Sequence, residues 1–532
     1  MVRMREIAVV GGGGGAVCLL EALSQRSGPP AAVTVFEPSG RLWRGRPYQR
    51  DADCILVNLP SRAMSVRAGD PGHFDRWLAA ARRREADGAG EDGVGEDGVG
   101  EDGAPGKADA AGAAGGSTAA GEAAAGGAGR ADPFNAAAFP ARTLFGDYLE
   151  SVAHDSVARL RARGWIVRVL PERVVHAAPC GGGATLTTER GGSHRADRVV
   201  LCLGAGAPHD RFGLDGPEPG FVPDPYPVAH TLAGIDPRDT VAVLGTGLTA
   251  VDVALTLRAN RHQGPVCLLS RQGVLPAVRQ RPVAHALQHF TPDHFHALSR
   301  RGEVGFTEVV RVLRDELAAA GQGPAELETE LASLHEDPAR RLRRQLDLVD
   351  APGLGLRILQ HTLPVAVDVW PLMPHRDRAE LLRHHYRAIH SLCCPMPPST
   401  AAHLSAMSDA GQLRIVRGLH NVSRTGRGFS AVTRDGRIDA DTVVNATSVA
   451  AHRVPTAAAP LVQSLITASA ASVHPHGGLR VRRETSQLVV NGTTQQCFYA
   501  LGDLTFGSLF ITAAIPVIVK LAQEISRDVT GP

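Results

Sequence analysis

"IAVVGGGGGAVCLLEAL", from Ile7 to Leu23, decides how the rest of the chain is read. Four apolar residues, Ile7 to Val10, run straight into Gly11–Gly15, and an Ala/Leu/Val-rich stretch follows. Gly11, Gly13 and Ala16 fit the spacing G-x-G-x-x-G/A, with Gly14 inside the same turn. The first glycine permits a tight turn. The second lets a pyrophosphate approach the backbone, and a small third residue lets the helix pack on the strand. The helix start then faces the phosphates with free N–H groups and the positive end of its dipole. A second strand, "AVTVFEP" (Ala32 to Pro38), brings Glu37 into position to accept hydrogen bonds from an adenosine ribose. An acid there also disfavours a 2′-phosphate. In a chain with 59 glycines a glycine run alone says little. The complete strand–turn–helix–strand–acid unit predicts a dinucleotide cradle.

The pattern occurs twice. "DTVAVLGTGLTAVDVALTLRA" (Asp239 to Ala259) contains Gly245, Gly247 and Ala250 at the same spacing. The strand after it, "VCLLSRQG" (Val266 to Gly273), ends in Ser270 and Arg271 with no acid. Arg271 offers a bidentate fork for a phosphate and Ser270 a hydroxyl donor. This predicts NADPH in preference to NADH; the alternative is a solvated surface arginine. Arg279 and Arg281 are close enough in sequence to add to that phosphate pocket. Two dinucleotide units in one chain suggest a flavoprotein reduced by a nicotinamide cofactor, with FAD in the first cradle. "FYALGDLTFGSLFITAAIP" supports this: Gly502 and Asp503 follow a strand and precede a helix, where an aspartate can bond a ribityl hydroxyl.

Composition narrows the class. A chain of 532 residues that is 43% hydrophobic can build more than one core. A net charge of +2 creates no strong field for nucleic acid or an anionic membrane. The eight cysteines include no C-x-x-C, which excludes the usual zinc ribbon and dithiol pair. Cys393 and Cys394 are neighbours, an arrangement compatible with a redox site or with two reduced thiols. The run Ile7–Val10 is too short for a signal h-region, and Phe506–Val519 is too short to span a bilayer. A cytoplasmic location is expected. Residues 87–130 repeat GEDGV and contain almost no large apolar side chains, so a disordered insertion in a surface loop is expected there. From about Val283 to Leu348 the chain is helical in pattern and rich in Arg, His and Glu.

The stretches "VVGGGGGAVCLLEAL", "FEPSGRLWRGRPYQRDADCILVNLPSRAMSV", "DPGHFDRWL", "FPARTLFGDYLES", "VAVLGTGLTAVDVALTL", "LLSRQG" and "YALGDLTFGSL" together resemble a known group. It is the FAD/NAD(P)-binding proteins that include flavin-dependent aspartate N-monooxygenases and an FAD-dependent urate hydroxylase. The resemblance implies an α/β architecture with an NADPH Rossmann-like domain inserted between two parts of an FAD Rossmann-like domain. The corresponding boundaries are 1–235 and 401–532 for the FAD domain and 236–400 for the NADPH domain, with a helical insert at about 283–350. It also implies that the loop "NLPSRAMSV" lies against FAD, making Asn58, Arg62, Met64 and Ser65 candidate flavin-side residues. A tight polar turn with Met64 in the core is the competing reading of that loop.

The expected activity is monooxygenation of a small polar substrate with O2, through a C4a-hydroperoxyflavin. N-hydroxylation of an amino acid such as aspartate is the first form. The alternatives are a urate-type purine hydroxylase, an NAD(P)H-dependent flavin reductase, and a non-enzymatic flavoprotein. The flavin carries the hard chemistry, so no side-chain nucleophile is required. No G-x-S-x-G or H-E-x-x-H occurs. The fingerprint F-x-G-x-x-x-H-x-x-x-W/F/Y is not intact before the second glycine turn: Phe221 and His230 stand at the wrong spacing. That argues against a Baeyer–Villiger enzyme. An anionic substrate requires arginines, and Arg62, Arg67, Arg142 and Arg281 lie near the motifs.

Overall fold

A computed structural model describes residues 3–91, 138–447 and 454–531. Its parallel strands are β1 (Arg5–Val10), β2 (Ala31–Phe36), β3 (Ile166–Leu170), β4 (Arg198–Leu201), β5 (Phe221–Val222), β6 (Val241–Leu244), β7 (Val266–Leu269), β8 (Leu413–Val416) and β9 (Thr442–Val444). β10 (Gln487–Val490) and β11 (Thr493–Ala500) form an antiparallel pair, and β11 runs parallel to β4. Four helices matter most for the site: α1 (Gly14–Gln25), α2 (Arg142–Ala162), α3 (Leu248–Ala259) and α4 (Ile515–Thr530). No helix of the described residues is long and apolar enough to cross a membrane.

The first sheet has the order β10-β11-β4-β1-β2-β3. β1 is apolar because both its faces are covered, as parallel sheets require. Ile7 and Val9 pack with residues of α1, α2 and α4. Ala8 and Val10 point the other way, into a core shared with a three-stranded sheet (Val174–Cys180, Gly183–Thr188, Ser193–Ala196) and the helix Ala459–Thr467. The strand period of two therefore assigns alternate residues to two cores. The second sheet, β8-β7-β6-β9-β5, is all parallel and repeats the scheme. Val241 and Val243 face α3, while Ala242 and Leu244 face a second three-stranded sheet within Asn421–Ala440.

This topology corrects the expected boundaries. β5, at 221–222, pairs with β9, and β8 and β9, at 413–444, both belong to the second sheet. The inserted unit thus runs from about 221 to 444, not 236 to 400. β5 is only two residues long and has no readable pattern. The late strands are recognisable locally, but their partners β7 and β6 lie about 150 to 200 positions away in the chain, where no local pattern reaches. The helical insert also exceeds 283–350: helices recur from Pro292 to Asp409. The stretch 87–130 lies outside the described residues except for 87–91, which end the helix His73–Glu91.

Polar contacts tie the two sheets together. Arg142, the first residue of α2, donates to the Tyr226 hydroxyl (3.1 Å) and pairs with Asp252 on α3 (2.6 Å). The Tyr226 hydroxyl also donates to Asp252. Asp51 accepts from the amides of Val228 (3.0 Å) and Ala229 (2.8 Å). The insert is anchored on the first sheet's side as well: Trp370 donates from Nε1 to the Gly507 carbonyl (2.8 Å), and Asp368 pairs with Arg483 (2.6 Å) and Lys520 (2.5 Å). Replacing Arg142 by Met leaves a buried Asp252 without its cation. The expected loss is about 3–5 kcal/mol of unfolding free energy, measured by urea denaturation. An unchanged midpoint would mean that this pair does not tie the sheets.

Candidate functional site

The two glycine turns share one geometry. Gly11 has φ +102°, and a Cβ there would collide with the Cys202 carbonyl just beyond β4. Gly245 has φ +127°, and a Cβ there would lie 2.6 Å from the Ala446 carbonyl just beyond β9. In each sheet the chain proceeds from the glycine-bearing strand to one side and later returns to the other side. Both turns therefore sit at the carboxyl-end crevice where the strand order reverses, the position at which α/β sheets bind ligands. Gly13 and Gly247 cap α1 and α3 with no side-chain cap and no acid in the first helical turn. The N–H groups at both helix starts are left for an anion. Gly14 opens α1, and Ala16 and Ala250 are fully buried against the sheets. Glu37 stands at the first turn, accepting from the amides of Gly12 (2.7 Å) and Ser39 (2.8 Å).

Ser270 and Arg271 divide their work. The Ser270 Oγ accepts from the Gly273 amide (2.8 Å) and lies 3.1 Å from the Thr246 hydroxyl, which itself donates to the Val274 carbonyl. Ser270 thus closes the loop beside the second turn; its hydroxyl is engaged within the protein. Arg271 is exposed and makes no ion pair among the described residues. Arg211 and Arg387 gather near it. The Arg387 guanidinium is held below its ordinary range by burial, with the charges of Arg271 and Arg211 adding to the effect. Sequence reasoning missed these two, because Arg211 and Arg387 stand far from Arg271 in the chain and meet it only in the fold.

A cavity of ≈ 700 Å³ lies between the two cradles. Asn58, Arg62 and Met64 line it from the loop after β2, Gly204 from beyond β4, Asp503 from beyond β11, and Leu248 from the start of α3. The insert closes it with Arg279, His361, Tyr386 and His390. Gly502 has φ +87° and turns the chain so that Asp503 opens a short 3-10 turn; burial raises the Asp503 carboxyl above its usual range. Met64 is both core and cavity wall. Ser65 is a turn residue, donating to the Asp70 carbonyl (2.7 Å).

The arginines sort differently from expectation. Of the four substrate candidates only Arg62 lines the cavity. Arg67 pairs with Glu21 (3.3 Å) and Asp155 (3.2 Å), Arg142 with Asp252, and Arg281 with Asp350 (2.5 Å). These three are engaged by carboxylates and do not line the cavity. Arg279 does, and is only 6% exposed. Its Nε donates to the Asn58 carbonyl (2.9 Å) and its Nη1 to Gln360 Oε1 (3.0 Å), while the buried Nη2 has no protein partner. Burial lowers its pKa to about 10, so it remains charged at neutral pH. Arg279 thus stands at the cavity wall, held there through Asn58 and Gln360. His230 is exposed and away from the cavity lining.

Residues 8–105 and 110–206 match the sequence model of a family described as FAD-NAD(P)-binding. No curated protein matches the chain. Solved structures share the fold over nearly its whole length. The fold is that of a two-dinucleotide-binding flavoprotein. The ornithine N-hydroxylase of Kutzneria sp. 744, with reduced FAD, NADP+ and L-ornithine, is 13% identical, with 98% of each chain covered and a TM-score of 0.56. The FAD-bound cadaverine monooxygenase of Erwinia amylovora is 11% identical, with 100% of this chain and 95% of the other covered and a TM-score of 0.54. The L-lysine 6-monooxygenase of Pseudomonas syringae is 15% identical, with 98% of each chain covered and a TM-score of 0.51. If Arg271 reads a 2′-phosphate, Arg271→Ala raises the Kd for NADPH about tenfold, a loss of roughly 1.4 kcal/mol. The Kd for NADH should change less than about twofold on the same scale. Equal weakening of both in a titration would return Arg271 to the solvated surface.

Proposed function

We propose that the protein is an FAD- and NADPH-dependent monooxygenase that N-hydroxylates a small amino acid bearing an additional carboxylate, such as aspartate. The observation that carries this reading is Arg279: a charged guanidinium, buried in the cavity wall, with Nη2 unpartnered. A buried cation without a counter-charge is costly, and an anion from outside the chain removes that cost.

The residues present fit both cofactors. Gly11, Gly13, Gly14, Ala16 and Glu37 would hold the ADP portion of FAD, and Asn58, Met64, Gly502 and Asp503 its flavin end. Gly245, Gly247, Ala250 and Arg271 would hold NADPH. FAD held there would supply the redox chemistry with the nicotinamide and O2. The chain's own part is placement. Arg279 orients a carboxylate, held in turn by Asn58 and Gln360. Phe506, Phe510 and Ile389 supply an apolar wall that keeps water from the reacting atoms. The ornithine N-hydroxylase named above shares the fold, which supports N-hydroxylation over ring hydroxylation. Cys393 and Cys394 also border the cavity, but burial raises both thiols, Cys394 to about 11. Protonated thiols are poor nucleophiles, which favours oxygen insertion over a dithiol reductase.

The test is mass spectrometry of L-aspartate and urate after incubation with enzyme, FAD, NADPH and O2. An N-oxygenated aspartate with stimulated NADPH oxidation is expected. An oxygenated urate, or NADPH oxidation with no oxygenated product from either, would overturn the reading. In steady-state assays Arg279→Leu should raise the KM for aspartate at least about 30-fold, the counterpart of roughly 2 kcal/mol for truncating a buried charge partner.

A further inference from the structure

An amino acid reaches the cavity as an ammonium ion, and an ammonium nitrogen has no lone pair with which to take oxygen. N-hydroxylation therefore needs a base. Among the described residues the cavity lining carries two imidazoles, His361 and His390, and one carboxylate, Asp503. Asp503 follows β11 and is committed to the flavin end in the reading above. His390 is a poor base, because burial, with Arg387 adding, lowers it to about 4.

His361 is arranged differently. Its Nδ1 lies 2.7 Å from the Arg357 carbonyl. A carbonyl only accepts, so Nδ1 carries the hydrogen and the neutral ring keeps its lone pair on Nε2. No hydrogen bond within the described residues occupies Nε2. Its helical neighbour Gln360 holds Arg279, so the base and the residue that holds the carboxylate anchor are consecutive on one helix. Behind His361 the His285 ring stands edge-on with centroids 6.2 Å apart. His285 Nε2 is 2.8 Å from Glu316, a fully buried carboxylate that also accepts from the amides of Gln288, His289 and Phe290. The charges facing His361 are thus Glu316 through His285, Arg279 through Gln360, and Arg357 on its own helix. The Arg357 guanidinium is turned onto the carbonyls of Arg281, Val349, Ala351 and Gly353.

We propose that His361 is the base that deprotonates the substrate ammonium, a catalytic role that rests on the N-hydroxylation reading. The N–H bond of R–NH3+ breaks, Nε2–H forms, and the freed pair on nitrogen takes one oxygen atom. The other oxygen atom leaves as water, and the proton held on His361 goes to that water. R–NH3+, O2 and NADPH together give R–NHOH, H2O and NADP+. The imidazolium formed on the way keeps its Nδ1–H bond to the Arg357 carbonyl.

His361→Asn tests this, because the Asn amide can still donate to the Arg357 carbonyl but has no basic nitrogen. Flavin reduction by NADPH, followed by stopped flow, serves as the control for fold and cofactor binding. With L-aspartate near neutral pH, the variant should form N-oxygenated product about a hundredfold more slowly than the wild type. The lost electrons should appear as hydrogen peroxide. The deficit should shrink steadily toward about pH 9.5, where more of the substrate arrives already deprotonated. Wild-type product yield at neutral pH, or a deficit that does not change with pH, would overturn the proposal. A wild-type enzyme that reduces flavin but never oxygenates aspartate would remove the N-hydroxylation reading and the proposal together. If the Asn variant loses FAD, His361→Gln repeats the comparison; loss of FAD in both would make His361 a structural residue and overturn its catalytic role.

Discussion

The arrangement depends on a steric limit met twice. At Gly11 and at Gly245 the backbone turns with positive φ directly against the carbonyl that ends a neighbouring strand, Cys202 in one sheet and Ala446 in the other. Only glycine fits such a position, since any Cβ would overlap that carbonyl and the conformation itself is strained for other residues. The close approach opens a crevice at the carboxyl end of each sheet and aims a helix start into it. Two crevices built alike, one for each sheet, supply the places for two dinucleotides.

Two cradles are useful together only if they face each other. The Arg142–Asp252–Tyr226 cluster fixes α3 against the first unit, and Asp51 ties the turn at Val228 and Ala229 to it. The helical insert closes the remaining side, bound to the flavin-side segment through Trp370 and through Asp368 with Arg483 and Lys520. The result is one chamber bordered by residues from both sheets and from the insert. Its charged and polar groups are few and specifically held, which is how a mostly apolar pocket orients a small polar ligand.

The parts of this arrangement that were legible in the sequence are those with local cause. The glycine turns, the strands before them, the acid at Glu37 and the Gly502-Asp503 turn each follow from a short run of residues. The extent of the second unit was not legible, because β5, β8 and β9 take their places by pairing with distant strands. Neither was the choice among arginines. In a chain whose basic residues are almost all arginine, position near a motif does not separate Arg67, which pairs with Glu21 and Asp155, from Arg279, which has a nitrogen to spare. Burial and the absence of a carboxylate partner make that distinction, and both are tertiary facts. His361 carries no motif at all; its tautomer is set by a helical carbonyl and its setting by a buried carboxylate two side chains away.

Electron transfer from a nicotinamide in the second cradle to a flavin in the first is the central claim, and it can be watched directly. The FAD-reconstituted protein is mixed with NADPH in the absence of oxygen and the flavin absorbance is followed in time. The predicted result is a yellow protein that bleaches at a rate saturating with NADPH concentration. A protein that retains no FAD, or whose bound FAD stays oxidised in excess NADPH, would contradict the claim that the two glycine turns serve one reaction chamber.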